Sequence, residues 1–262
     1  MAPTSHLRAL NGQAQPERTG REGGVRPLQL ACPVTIQRYS DGELSFKDDQ
    51  IAEEADIRLT VNGQAEAVLA RTPGDDLNLV AGYLFAQSRV MCPEDILNIA
   101  FSYHGPSRVD VVLKTPVAVR RIYPSPRPVR IAPELLFDLK ALFERRQSLF
   151  KNTGSTHAAA LFSVEGELIS YGEDVGRHNA FDKAVGRALL EGTLESVTIA
   201  MLSSRLALEL ATKATTANIP VLCGFSAATS SAITYAERNN LSLVGRIKGD
   251  SFNVYANGWR FR

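Results

Sequence analysis

Val197-Thr-Ile-Ala-Met-Leu202 and Ile219-Pro-Val-Leu-Cys223 are short apolar runs of strand length, with the helical stretch Ser204 to Ala217 between them. That alternation decides the fold, and it continues on both sides. Upstream, His157 to Val164 and Glu167 to Tyr171 read as a hairpin across Glu165-Gly166, followed by a helix from Val175 to Leu190. Downstream, Ser230 to Asn239 reads as a helix and Leu241 to Gly245 as a strand. Short apolar strands alternating with helices imply an α/β domain, its sheet largely parallel in this region and helices on its faces. An amphipathic helix from Pro133 to Phe150 leads into it. Proline suits its first turn, Leu135, Leu139, Leu142, Phe143 and Phe150 mark one face, and Asn152-Thr-Gly154 ends it.

The N-terminal part has a different rhythm. Leu30 to Tyr39 and Asp56 to Ala70 read as strands, the second with Ile57, Leu59 and Val61 in alternation before the hairpin signal Asn62-Gly63. Thr72-Pro73 followed by Asp75-Asp76 starts a helix whose buried face is Leu77, Val80, Ala81, Leu84 and Phe85. Pro93-Glu94-Asp95 is a second, shorter helical start, and Arg108 to Lys114 is β-rich. The expected organisation is a disordered leader over residues 1–27, a small α+β module over 28–118, a linker over 119–131, and the α/β domain over 132–262. The linker segment Arg120 to Arg130 is rich in arginine and proline and contains no acid. Its prolines deny it a helix or central strand.

Composition excludes several classes. Lys+Arg 29 against Asp+Glu 28 leaves a net charge of +1, which argues against a nucleic-acid or membrane-surface binder. No apolar run approaches the ~20 residues that span a bilayer, and the first residues lack the apolar core of a secretory signal. Cys32, Cys92 and Cys223 form no close pair, as expected of reduced thiols in a cytoplasmic protein.

Polar residues gather where strands hand over to helices, and such junctions are the usual ligand crevices of α/β sheets. Thr153 and His157, then Arg177, His178, Asn179, Asp182 and Lys183, then Ser203 and Arg205, then Ser226 and Thr229 occupy four of them. Small hydroxyl residues admit an anion close to the backbone, and Arg177, Lys183, Arg205 and Lys213 supply positive charge. Together they suit a ligand bearing phosphate or pyrophosphate. Plainer readings stand beside this one. Ser203, Ser226 and Thr229 could be ordinary helix caps, and Asp182 with Lys183 could be a helix-surface ion pair. The three consecutive polar residues Arg177-His178-Asn179, ahead of an apolar helix, are harder to explain by packing. No G-x-S-x-G elbow, P-loop or G-x-G-x-x-G occurs. A zinc deaminase pattern also fails, because His157-Ala-Ala159 lacks the glutamate and Pro220-Val-Leu-Cys223 lacks the second cysteine.

Thr153-Gly-Ser-Thr-His-Ala-Ala-Ala160, Glu173-Asp-Val-Gly-Arg-His-Asn-Ala-Phe-Asp-Lys183, Ser203-Ser-Arg205, Ser226-Ala-Ala-Thr229 and Phe252-Asn-Val-Tyr255 resemble the FdhD/NarQ family. Arg71 to Leu84 resembles that family's N-terminal part. The resemblance implies a cytidine-deaminase-like α/β domain without its zinc, and a homodimer in the cytoplasm. It also implies a formate dehydrogenase accessory sulfurtransferase. Such a protein takes sulfur from a cysteine desulfurase and passes it to the molybdenum (or tungsten) bis-molybdopterin guanine dinucleotide cofactor. GDP is a partial mimic of that ligand. The family's cofactor-binding segment matches Arg246, Ile247, Lys248, Gly249, Asp250 and Ser251, departing from its usual residues at Arg246 and Lys248.

The family's C-x-x-C motif has no counterpart, because residues 120–132 contain no cysteine. A persulfide needs a thiolate, and Cys223 is the one candidate substitute near the site, though a buried structural thiol reads as well. Two expectations follow: a maturation protein that transfers sulfur, or a cofactor-binding or chaperone module that transfers none.

Overall fold

The computed structural model describes Arg18–Thr19, Val25–Arg26 and residues 29–114 and 128–262. Most of the expected leader and linker lies outside the described residues. Within the leader, β1 (Arg18–Thr19) and β2 (Val25–Arg26) pair antiparallel.

Two long strands follow, β3 (Ala31–Ser40) and β4 (Glu43–Ala52), joined as a ribbon across Asp41-Gly42. The ribbon belongs to no other sheet among the described residues. β5 (Ala55–Val61) and β6 (Gln64–Arg71) form the hairpin expected at Asn62-Gly63, whose φ angles of 49° and 77° are those of a tight primed turn. The alternation in β5 does what its pattern predicts: Ile57, Leu59 and Val61 are buried, while Asp56 and Arg58 are exposed. β7 (Ile96–Ser102) and β8 (Arg108–Leu113) complete a four-stranded sheet in the order β6-β5-β8-β7. The helix expected after Thr72-Pro73 is α1 (Asp76–Ala86). It is buried nearly all round, Asn78, Leu79 and Gly82 included, and not along a single stripe.

The α/β domain is built on a six-stranded sheet in the order β10-β9-β11-β12-β13-β14. Its strands are β9 (His157–Phe162), β10 (Leu168–Asp174), β11 (Ile199–Leu202), β12 (Val221–Gly224), β13 (Ser242–Lys248) and β14 (Ser251–Ala256). The expectation of a largely parallel sheet is corrected here. Only β11-β12 and β12-β13 run parallel; β9 is antiparallel to β11, and each outer strand is antiparallel to its neighbour. The hairpin across Glu165-Gly166 is the one expected, whereas the tight turn at Gly249-Asp250 adds β14 as a second antiparallel outer strand.

The long helix expected over Pro133 to Phe150 is two helices, α2 (Leu135–Arg146) and α3 (Ser148–Thr153). Gln147, at φ −69° and ψ 65°, leaves the helical region and breaks them apart. Leu136, Leu139 and Phe143 carry the burial, and Phe150 beyond the break is exposed. Gly154 closes α3 in the left-handed conformation.

The two faces of the sheet feed different cores. Ala158, Ala160, Phe162, Met201 and Cys223 meet α2. Ala159, Leu161, Ala200, Leu202 and Leu222 face α4 (Arg177–Leu190), α5 (Leu208–Thr216) and α6 (Ser230–Arg238). This second core runs on without interruption into Ile57, Leu59, Val61, Val109 and Val111 of the N-terminal sheet. The link is the crossing of α1 over α4, where Gly82 and Gly186 let the backbones touch. An added Cβ on Gly82 would stand 1.9 Å from the Asp182 carbonyl oxygen, and one on Gly186 1.9 Å from that of Asn78.

Candidate functional site

The junctions singled out in the sequence meet along one edge of the six-stranded sheet. β11 and β12 both end there, β9 starts there, and β10 hands over to α4. His157 Nδ1 lies 3.3 Å from Ser203 Oγ, which also accepts a hydrogen bond from Ala158 N at 3.0 Å. The loops after β11 and β12 run side by side through a Leu206–Ala228 bridge. Ser226 O accepts from Arg246 N at 3.2 Å, joining the loop after β12 to the end of β13. Arg205 and Arg246 are exposed along this line.

Arg177 opens α4. No acid sits in the first turn of that helix, so its leading N–H groups face the edge without a countercharge from its own side chains. Arg177 Nε is buried and has no hydrogen-bond partner. Burial and then the Arg177 charge hold His157 below the ordinary histidine range. His178 is lowered by burial, then Lys213 and Arg177, with Glu209 opposing. The edge therefore combines a guanidinium with an unused donor, two imidazoles that stay neutral near pH 7, and hydroxyls. That set can hold an anion through charge-assisted hydrogen bonds.

The remaining motif residues point inward, against the expectation that they contact ligand. Lys183, 2 % exposed, gives its ammonium to Asp174 Oδ2 at 2.7 Å, Thr72 O at 2.9 Å and Glu173 O at 3.3 Å. Asp174 also accepts from Thr72 N, Gly176 N and Asn179 Nδ2. Asn179 spends its second bond on Ala70 O at 2.6 Å, tying α4 to β6. Asp182 and Lys183 are not a surface pair. Asp182 is buried and bound by Lys213 at 2.5 Å and 2.7 Å, and burial still pushes its carboxyl up. Glu173 accepts from Leu149 N, Phe150 N, Thr156 Oγ1 and Tyr171 OH, and so caps α3.

Several other candidates have structural duties. Thr153 bonds back to Leu149 O inside α3. Thr229 is an ordinary N-cap, accepting from Ala232 N. Ile247 is in the core. Ser203 is not a cap, because α5 starts only at Leu208. Lys248, Gly249, Asp250 and Ser251 form the exposed hairpin between β13 and β14, carrying the line of Arg246 outward beyond the end of β12. Two residues of the edge escaped sequence reading. Glu209 moderates His178 with no local signal. Gly245, where a Cβ would stand 2.4 Å from Ser226 O, lets the β12 loop lie against β13; a glycine inside a strand pattern was its one clue.

The depressed histidines give a pH dependence. Their folded forms bind protons less readily than the unfolded chain, so stability is intact above the unfolded histidine pKa of about 6.5 and falls as pH drops through it. Urea midpoints between pH 7.5 and pH 5.5 should show this fall, and the His157→Gln/His178→Gln variant should lose most of it. An unchanged slope in that variant would assign the effect to other groups.

The fold and edge define a class: a mixed α/β protein with cationic and hydroxyl side chains gathered at the carboxyl ends of its parallel strands. Comparison with known proteins narrows that class. The model of the FdhD/NarQ family matches residues 110–262. A sulfur carrier protein FdhD from Streptomyces coelicolor is 37% identical over 259 residues, covering 84% of this chain and 92% of that one. Its counterpart from Sulfurisphaera tokodaii is 36% identical over 245 residues, covering 85% and 95%. A solved structure of a candidate formate dehydrogenase accessory protein from Desulfotalea psychrophila superposes with a TM-score of 0.79. It has 22% sequence identity and covers 89% of this chain and all of that one. The chain belongs to the FdhD/NarQ family. No helix among the described residues is long and apolar enough to cross a membrane.

Proposed function

We propose that this chain is a formate dehydrogenase accessory protein that binds the guanine-dinucleotide form of a molybdenum or tungsten cofactor and carries no sulfur on its own cysteines. The observation behind the binding reading is Arg177 Nε, a buried donor without a protein partner in the first turn of α4. Buried polar groups are rarely left unpaired, and a phosphate oxygen satisfies a guanidinium donor well. Ser203 and His157 lie beside it, and Arg205 and Arg246 extend the positive line. The cofactor would bring the metal and its sulfur chemistry. The chain's own residues would hold its pyrophosphate and orient it towards the recipient enzyme.

The cysteines support the second half of the proposal. Cys223 is fully buried in β12, between Met201 and Val244, and burial pushes its thiol up. It cannot present a thiolate to a sulfur donor. Burial also raises Cys92, which lines a cavity together with Leu189 at the C-terminal end of α4. That end is roughly 20 Å from Arg177, at 1.5 Å per helical residue. Cys32, near the start of β3, donates to Glu53 Oε2.

Calorimetry with GDP tests the site. Arg177→Ala should weaken GDP at least about tenfold, as expected for losing one charged hydrogen bond. Equal affinity in both proteins would refute the placement. Incubation with a cysteine desulfurase and sulfur-labelled cysteine tests the chemistry. No protein-bound label is expected, and a stable persulfide on any of the three cysteines would restore the sulfur-transfer reading.

A further inference from the structure

A cavity of about 330 Å³ lies beside Tyr171 and Glu173 of β10, the outermost strand of the α/β sheet. Its walls come from both modules: the Thr72 to Asp75 loop ahead of α1, the junction of α2 and α3, and the later turns of α4. It is separate from the crevice, because Arg187 lies roughly 15 Å beyond Arg177 along α4, at 1.5 Å per residue. Its polar groups are not all used. Arg187 donates from Nη2 to Asp75 Oδ2 at 2.6 Å, but its buried Nε has no partner. Arg146, exposed at the end of α2, forms no ion pair among the described residues. Its charge reaches the Tyr171 phenol, where it opposes the upward push of burial and of Glu173. Asp75 accepts from Asn78 on Oδ1 and from Arg187 on Oδ2, which leaves each oxygen a lone pair. Glu173, by contrast, is saturated by four donors, and Lys183 is committed to Asp174. What remains free is guanidinium N–H and one carboxylate.

We infer that this cavity binds a free α-amino acid, its carboxylate on Arg187 and Arg146, its ammonium on Asp75 and its side chain against Leu30 and Leu149. Charge selects that class. The charged walls balance, with Arg146 and Arg187 against Asp75 and Glu173 once Lys183 is counted with Asp174. A balanced cavity offers a phosphate dianion no net attraction and sets two carboxylates against it. A simple amine would leave the buried Nε of Arg187 unpaired, which is rare for a buried polar group. A simple carboxylate would leave Asp75 unused and add a net negative charge. A zwitterion satisfies both groups and is neutral overall. Size agrees, since 330 Å³ is near the lower end of the ~300–1,000 Å³ of small-molecule sites. Leu30, Leu149 and the Tyr171 ring supply the apolar wall that such sites need. Because the walls come from both modules, a bound ligand would bridge them and stabilise the whole chain. The inference stands independently of the function proposed above, since it uses no side chain of the crevice.

Calorimetry of the full chain with each of the common L-amino acids tests it. At least one should bind more tightly than about 1 mM and raise the urea midpoint. Its deaminated acid and its decarboxylated amine should each bind at least about tenfold more weakly. Arg146→Gln, at an exposed position, should weaken the amino acid at least about tenfold while GDP binding stays as in the wild type. Arg177→Ala should leave the amino acid unaffected, so failure of this site and failure of the crevice are told apart. The inference is overturned if no amino acid binds, or if the acid or the amine binds as well as the amino acid. It is overturned equally if Arg146→Gln binds like the wild type, or if Arg177→Ala loses the amino acid, which would place that ligand in the crevice.

Discussion

Lys183→Ala is expected to remove about 3 kcal/mol of stability, towards the lower end of the 3–5 kcal/mol typical when one partner of a buried ion pair is deleted. The cost arises from what stays behind. Asp174 is 0% exposed, and without the ammonium its charge has no counterion. Three N–H donors, from Thr72, Gly176 and Asn179, remain on the carboxylate; they soften the loss without cancelling it. Lys213→Ala should cost less. That lysine is 13% exposed, so water can enter and solvate Asp182 in its place. Urea unfolding of the two variants checks the order. If Lys213→Ala costs as much as Lys183→Ala, access of water does not decide the difference.

This pair also shows what the sequence could and could not tell. The motif from Glu173 to Lys183 stood out because costly polar residues were crowded before an apolar helix, and that crowding is physically meaningful. Its meaning is divided, however. Arg177 and His178 open α4 at the strand ends, whereas Asp174, Asn179, Asp182 and Lys183 bind the start of α4 to β6, the Thr72 loop and α5. Sequence spacing places Asp182 beside Lys183, but the partners that matter, Asp174 and Lys213, come from the preceding strand and from another helix. Only the fold could reveal them. The strands of the α/β domain were legible because each is a short apolar run. The antiparallel pairing of β9 and β10 was legible too, from the Glu165-Gly166 hairpin; β14 and the antiparallel setting of β9 against β11 were not, since they depend on the whole topology. The alternation in β5 and the Asn62-Gly63 turn were fully legible, because both signals are local. β4 escaped notice for the opposite reason: Lys47, Asp48 and Asp49 interrupt any apolar pattern in a strand exposed along most of its length.

Binding and stability are joined through α4. Its first turn carries Arg177 and His178, and its middle is clamped against α1. A change at the clamp should therefore reach Arg177 and His178 by moving a helix, with no ligand contact substituted. This separates two kinds of variant. Arg177→Ala should lose GDP while keeping its unfolding midpoint, and a clamp variant should lose both together.

Gly186→Ala is the clamp variant of choice, because propensity and packing predict opposite signs. In a helix interior, glycine is less favourable than alanine by about 1 kcal/mol, so propensity alone makes the substitution stabilising. The crossing forbids it. A Cβ would stand 1.9 Å from the Asn78 carbonyl oxygen and 2.6 Å from Gly82 N. Both are backbone atoms, so no side-chain rotation relieves the contact and the helices must separate. Separation would loosen Leu77, Val80, Phe181 and Val185, all of the core that joins the two modules. Overpacking costs typically 1–3 kcal/mol and more where the backbone must shift. A net loss of about 2 kcal/mol or more is expected after the propensity gain, read as a lower urea midpoint. Gly82→Ala meets the Asp182 carbonyl oxygen from the other helix at the same distance. Once the helices have parted for one methyl group, the second finds space already made. The double variant should thus fall short of the sum of the single losses by more than the ~0.5 kcal/mol scatter of independent sites. Additive losses would show that the two glycines relieve separate contacts, and a stabilised Gly186→Ala that the crossing is not close-packed at all.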